Sequence, residues 1–254
     1  MDQVKLRGIL KKLLSITFLT AAGSILMALQ TGCSQPAAVS YLNRSEHTSI
    51  APKVNPKEEA PTKVDGGTVW SIDQYGRAVR RYAGRYDLDW RLVLAVMKRE
   101  SRFSAKAVSD KGAYGLMQIM PSTQQELAEK LGVDDLQTPI NNIRAGTFHL
   151  WSLYQVFDKA DDENRMKLTL AAYNAGLNRV LDAQDVAAYL GDDPNDWESV
   201  KASLPLLSKR YSNLHRRIWQ SGKPRAGYFS DWRQTQAYVD TIMAYYNDYQ
   251  LALK

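Results

Sequence analysis

Glu100 stands where a carboxylate is costly. Leu92, Val93, Val96 and Met97 recur at three- and four-residue steps and mark the apolar face of a helix. Glu100 lies four residues after Val96 and seven after Val93, so it continues that face into the last turn. Loss of hydration there predicts a raised pKa. A Glu that stays protonated near neutral pH is suited to act as a general acid. The chain then leaves helical periodicity, passes Ser109 and Gly112, and re-enters order at Gly115-Leu116-Met117-Gln118. Two glycines beside Met and Gln suggest backbone held close to a ligand. A lone Glu in this place would equally fit a solvated helix end.

Two further stretches can contribute to a site. Met166, Leu170, Tyr173 and Asn174 share one helical face, and the Tyr173 hydroxyl can reach a buried partner while its ring packs. Gln234-Thr235-x-x-Tyr238-Val239 sets a second tyrosine at helical spacing. Each tyrosine, taken alone, reads as core packing. Other chemistries find little support. His47, His149 and His215 are far apart and lack metal-ligand spacing, so no metal or other cofactor is expected. The single cysteine, Cys33, excludes an intrachain disulfide and precedes the folded part. No glycine-rich phosphate cradle follows a strand.

Glu100-Ser101, then Ala107-Val108-Ser109, then Gly112-Ala113-x-Gly115-Leu116-Met117-Gln118-Ile119-x-Pro121 closely resembles the catalytic signature of the lysozyme-like, SLT-type lytic transglycosylases. Those bacterial enzymes cleave the glycan strands of peptidoglycan. The downstream Ala171-Ala172-Tyr173-Asn174-Ala175-Gly176 is similar to the family's second motif. Gln234-Thr235-x-x-Tyr238-Val239 is similar to its third, with Gln234 in place of the usual Glu. Pro194 to Ser208, with Tyr211 after it, looks like the catalytic domain of the membrane-bound lytic transglycosylase F type. That type carries a solute-binding-like domain ahead of the catalytic one, and residues 34–68 are too few and too polar to form it.

The resemblance covers about residues 70–250. It implies a goose-type lysozyme-like fold with Glu100 as general acid and then base. Tyr173 is implied to hydrogen-bond Glu100, and Asn174 and Tyr238 to line the sugar cleft. Ser109 is implied to orient the substrate's acetamide, with Met117 and Gln118 forming the cleft floor. The implied reaction breaks the bond between N-acetylmuramic acid and N-acetylglucosamine and closes a 1,6-anhydro ring without consuming water. A hydrolytic muramidase on the same fold and a non-catalytic wall-binding module are the competing expectations. Asp110, Asp134 and Asp135, the acids nearest the signature, match no catalytic position of the family.

Helical periodicity dominates the region that must position these groups. Ile72, Tyr75, Val79 and Tyr82 mark one helix, and Asp89 is a plausible N-cap for the next, Trp90–Arg99. Thr123 with Glu126 three residues on reads as a capping box, and Gly132 ends that helix. Ile143, Thr147, Leu150 and Tyr154 mark a longer helix, and the last runs from about Asp231 to Leu251. Trp197 to Leu207 reads as a helix with a proline kink. Few stretches alternate with period two. The expectation is a mostly α, single catalytic domain over residues 69–254.

The chain ahead of it reads as an export segment and a tether. Lys5, Arg7, Lys11 and Lys12 precede an uncharged run from Leu13 to Leu29. Gly32-Cys33 follows and resembles a lipobox, although Gln30 stands where Leu is usual. Residues 1–32 are expected to be a signal peptide or signal anchor. Residues 33–68, punctuated by Pro36, Pro52, Pro56 and Pro61, are expected to be a disordered tether. Lipidation of Cys33 would attach the protein to the outer membrane, facing the periplasm; an uncleaved anchor would place it on the inner membrane. The net charge of +6 includes +3 from the first 32 residues, four cations less Asp2. The remainder is too mild to argue for nucleic acid and tolerates an acidic wall polymer.

Overall fold

The computed structural model describes residues 64–253. The export segment, Cys33 and the tether up to residue 63 lie outside the described residues. The regular structure of the described chain is helical, joined by loops, the longest of which carry residues 102–120 and 219–231; two isolated antiparallel bridges, Val108 with Tyr114 and Tyr114 with Ile119, lie in the first. The mostly α expectation holds. Among the described residues no helix is long and apolar enough to cross a membrane.

Helix α1, Gly66–Arg85, starts inside the stretch read as tether. Asp65 caps it, accepting from the Thr68 amide at 3.1 Å. The start escaped the apolar pattern because Gly66 and Gly67 are weak helix formers with no side chain to bury. Helix α2, Trp90–Ser101, is capped by Asp89, which accepts from the Arg91 amide at 2.9 Å. Helix α3, Pro121–Leu131, opens on Pro121 with no side-chain cap, so Thr123 does not serve as one. Proline in the first turn has no amide to leave unsatisfied and a φ already set for helix, which makes the cap dispensable. Helix α4, Pro139–Val156, is capped by Thr138. Helices α5, Asp162–Ala175, and α6, Leu177–Leu190, are separated by Gly176 alone, at φ 92°.

Helix α7, Trp197–Ser203, tightens into a 3-10 turn, Leu204–Leu207, at Pro205. That is the kink expected of a residue that cannot donate to the ladder. A second 3-10 turn, Lys209–Tyr211, leads into α8, Ser212–Ile218, and the chain closes with α9, Trp232–Ala252.

Helix α2 sits at the centre. Leu92 through Met97 are six consecutive buried residues, so α2 is enclosed on all sides rather than on one face. Helix α9 packs along α2 and also against α5; α4 packs on α1, α3 and α5, and α6 on α5 and α7. The α2–α9 pairing is antiparallel and bonded at both ends. Tyr246 donates to the Asp89 carboxylate at 3.0 Å, and the Arg91 guanidinium reaches the Leu253 carbonyl at 3.2 Å. The Tyr249 and Thr68 hydroxyls meet at 2.9 Å and tie α9 to α1. Tyr238 bonds α9 to the far end of α2.

Helix α4 approaches the 115–118 loop through Gly146. A Cβ built there would fall 2.5 Å from Met117 Cβ and 2.6 Å from its Cγ. Met117 is fully buried and cannot retreat without moving the loop. Gly146→Ala should therefore destabilise the protein by about 1–3 kcal/mol. Urea unfolding followed by circular dichroism checks this; an unchanged midpoint would show that the two elements are not packed this closely.

Candidate active site

Glu100 occupies the last turn of α2, half-buried. The helix ends abruptly beyond it. Arg102 and Phe103 both adopt left-handed φ, 50° and 65°, and swing the chain away. Ser101 stitches that exit to the next segment by donating to the Leu116 carbonyl at 3.0 Å. Tyr238, buried on α9, donates a 2.5 Å hydrogen bond to Glu100 Oε1. Burial pushes the Glu100 carboxyl up to about 7. The Tyr238 bond and the charge of neighbouring Arg99 pull it back only in part. The Arg99 guanidinium lies 5.4 Å from the centre of the Tyr238 ring. Burial, and next the charge of Glu100, push the Tyr238 phenol well above its usual range, so it stays a donor.

Tyr173 departs from its expected partner. Its hydroxyl donates to the Met117 carbonyl at 2.8 Å, not to Glu100. Met117 belongs to an irregular loop, and its carbonyl takes the phenol of α5. Tyr238, reaching from α9, holds the position at Glu100 that the sequence assigned to Tyr173. Tyr173 is still close enough to sense the carboxylate: burial first, and then the Glu100 charge, push its phenol far up. The ring packs 5.2 Å from that of His149. Burial lowers the pKa of His149 and favours its neutral form. Asn174, one residue along α5, accepts from the Thr235 hydroxyl at 2.9 Å, which ties α5 to α9 beside Tyr238.

The loop between α2 and α3 is braced by its own polar groups. The Ser109 hydroxyl oxygen accepts from the Ala113 amide at 3.0 Å, which leaves the hydroxyl proton for another acceptor. The Gly115 amide donates to the Ala107 carbonyl at 2.9 Å, and Tyr114 and Ile119 exchange two bonds of 3.1 Å. Gln118 sits at φ 45°, an uncommon conformation for a residue with a side chain. Its amide donates to the Ala107 and Gly115 carbonyls, at 3.0 and 2.9 Å, which holds the turn closed.

Asn142 of α4 was not among the residues read as functional. Its side chain is buried and clasps the loop from beneath. It accepts from the Met117 amide at 2.8 Å and donates to the Tyr114 carbonyl at 3.0 Å. Gly115, at φ +81°, lies so near that a Cβ would fall 2.6 Å from Asn142 Nδ2. Both the conformation and the space require glycine. One signal for Asn142 was available. It shares a face with Gly146, Leu150 and Leu153, and a polar residue on an inward face needs a partner.

Glu100, Tyr238, Tyr173, Met117, Asn174 and Thr235 are thus joined through α2, α5, α9 and the loop. Ser109 and Gln118 shape the loop itself. Asp110, Asp134 and Asp135 are exposed. Among the described residues no three His, Cys, Asp or Glu side chains gather as a metal site would. A half-buried carboxyl with a pKa near 7, bonded to a neutral phenol, is chemically able to give up a proton and take it back at neutral pH.

Comparison with known proteins follows the same residues. Residues 77–195 match the family model described as the transglycosylase SLT domain. A membrane-bound lytic murein transglycosylase F of Mannheimia succiniciproducens is 35% identical over 179 residues, 69% of this chain and 34% of that protein. One from Desulfosudis oleivorans is 41% identical over 140 residues, 55% of this chain and 30% of that one. The chain thus spans about a third of the length of these relatives. The 70 kDa soluble lytic transglycosylase of Escherichia coli aligns with 69% of this chain and 24% of its own, at 25% identity and a TM-score of 0.49. At residues 77–195, the segment that contains Glu100, the 115–118 loop, Asn142 and Tyr173, the chain carries a domain of the transglycosylase SLT family.

Proposed function

We propose that this protein is a peptidoglycan lytic transglycosylase with Glu100 as its single acid–base group. The observation that carries the reading is the Glu100 carboxyl, raised to about 7 by burial and held by Tyr238 at 2.5 Å. In the first step Glu100 protonates the oxygen between N-acetylmuramic acid and N-acetylglucosamine. The acetamide of the substrate stabilises the developing positive charge, which removes the need for a second carboxylate. The exposure of Asp110, Asp134 and Asp135 favours that route. In the second step Glu100, now a carboxylate, removes the proton of the muramic C6 hydroxyl. That oxygen attacks C1 and closes the 1,6-anhydro ring. Nucleophile and electrophile share one sugar, so little entropy is lost.

The remaining groups divide the work. Tyr238 orients the Glu100 carboxyl and solvates its anionic form between the steps. Tyr173 and Asn142 hold the Met117 peptide from either side and keep the cleft floor, Met117 and Gln118, in place. Ser109, with an uncommitted hydroxyl proton, orients the acetamide. Asn174 is fixed by Thr235 and lines the sugar cleft. The relatives named as membrane-bound murein transglycosylases support a periplasmic location. The sequence ahead of the domain adds Cys33 as lipid attachment to the outer membrane, with an uncleaved signal anchor in the inner membrane as the alternative.

Two outcomes follow. Glu100→Gln keeps shape but cannot cycle a proton, so wall cleavage should fall by roughly 100- to 10,000-fold while glycan binding persists. Mass spectrometry of wild-type products should find muramic ends lighter by one water. Reducing ends instead would make the enzyme a hydrolytic muramidase, and near-normal turnover by the variant would remove Glu100 from the chemistry.

The pH dependence has a definite sign. The folded-state pKa of Glu100 is about 7, well above the 4.5 of a free Glu, so its acid form predominates up to roughly pH 6 and is lost as pH rises through about 7. Turnover should decline through that window on the alkaline side. The Tyr238 bond lowers the pKa of Glu100, so Tyr238→Phe should slow the reaction and move the alkaline limb to higher pH. A pH–rate profile on purified wall measures both. A limb that stays in place, or moves down, would deny Tyr238 this part.

A further inference from the structure

The positive charge of this protein is not spread over its surface. Seven of its 33 Lys and Arg, and none of its 27 Asp and Glu, lie between Ser199 and Ser230. The rest of the chain has 26 cations against 27 acids, +3 in the first 32 residues and −4 over the remainder, so this one segment carries +7 in a domain that is otherwise acidic. Two of the seven are neutralised: Lys201 pairs with Asp240 and Arg225 with Asp185. Lys209, Arg210, Arg216, Arg217 and Lys223 are exposed and form no ion pair among the described residues.

The fold gathers these five. Along the 3-10 turn and α8, Leu214, His215 and Ile218 turn inward at three- and four-residue steps, and Lys209, Arg210, Arg216 and Arg217 are left exposed. His215 fixes that rotation. It is fully buried, its Nε2 lies 2.7 Å from the Leu206 carbonyl, and its ring packs on Trp219 and Tyr228. Lys223 joins from the following loop. Its neighbour Gly222 sits at φ +68°, and a Cβ there would lie 3.3 Å from Arg216 Cγ. Buried Asp182 pins the loop, accepting from the Arg225 and Ala226 amides at 3.1 and 2.8 Å. The segment then runs directly into α9, the helix that carries Thr235 and Tyr238.

Like charges held together without counter-ions repel one another, and an anionic partner relieves that repulsion. We propose that this face docks the carboxylate-bearing stem peptides of peptidoglycan. The proposal rests on the reading of the glycan as substrate: a strand seated at Glu100 carries its acidic peptides with it. A bilayer surface fits less well. Interfacial segments set aromatic or aliphatic side chains among their cations, and here the exposed large apolar residue is Tyr228 alone.

The experiment is co-sedimentation of the full chain with intact purified sacculi, and binding of the same protein to the peptide-free glycan strands that an amidase releases from them, immobilised on a sensor surface beside immobilised intact wall fragments. The variant is K209A/R210A/R216A/R217A, whose side chains are exposed and whose melting temperature reports on folding. Wild type should bind intact sacculi about tenfold more tightly than the variant at low ionic strength, and added salt should close the gap. On stripped glycan the two should bind alike. Equal binding of both proteins to intact sacculi, or undiminished wild-type binding to stripped glycan, overturns the proposal. So does a variant that loses affinity for phosphatidylglycerol vesicles but not for sacculi, since the face would then serve a bilayer. Product release from intact wall is read in parallel. If wild type binds by these cations but releases nothing, the catalytic reading fails and the docking surface stands.

Discussion

The hydrogen bond from Tyr238 to Glu100 depends on how α2 and α9 are held together. Helix α2 is enclosed on every side, so the position of its last turn is set by its neighbours rather than by solvent. Helix α9 runs antiparallel to it and is fixed at the opposite end by Tyr246 on Asp89 and by Arg91 on the Leu253 carbonyl. With that end fastened, the register of the two helices is set, and Tyr238 arrives within 2.5 Å of the carboxyl. The burial that makes α2 a good central element is the same burial that lifts the Glu100 pKa. Stability and acidity at this site therefore have one origin.

The opposite wall of the site is irregular backbone, and such backbone needs outside support for its polar groups. Asn142 provides it from a helix. One side chain answers both the Met117 amide and the Tyr114 carbonyl. Glycine is needed at 115 and 146 because Asn142 and Met117 fill the space where their side chains would stand. Tyr173 bonds the Met117 carbonyl, so this one residue is held at both its amide and its carbonyl. Positive φ at Arg102, Phe103 and Gln118 clusters at the exit from α2 and in this loop. Strain of that kind is tolerated where surrounding contacts over-determine the conformation.

Charge is organised on a coarser scale than the site. Helix α2 contributes Lys98 and Arg99 close to Glu100, whereas the stretch that holds cations and no acids lies around α8 and the loop after it. Two buried polar anchors, His215 and Asp182, hold that region in shape. The segment and the site meet at the start of α9, where Thr235 reaches Asn174. The segment and Tyr238, the partner of Glu100, are in this way joined to one helix.

By itself the sequence determined the local features: the helical class, the caps at Asp89 and Gly132, the proline kink at 205, and the stretch holding Glu100. Its signature also carried the family. These follow from neighbouring residues, because periodicity, turn residues and capping act over a few positions. Tertiary structure decided the rest. Periodicity showed that both Tyr173 and Tyr238 face inward, but not which one would meet a carboxyl 138 residues away from Tyr238. It marked a face of α2 but not its full enclosure, and passed over Asn142 because a buried amide has meaning only once its partners are known. Two helices can each be read from their own residues. The rotation and register between them come from side chains distant in the chain, and those set the distances on which the chemistry depends.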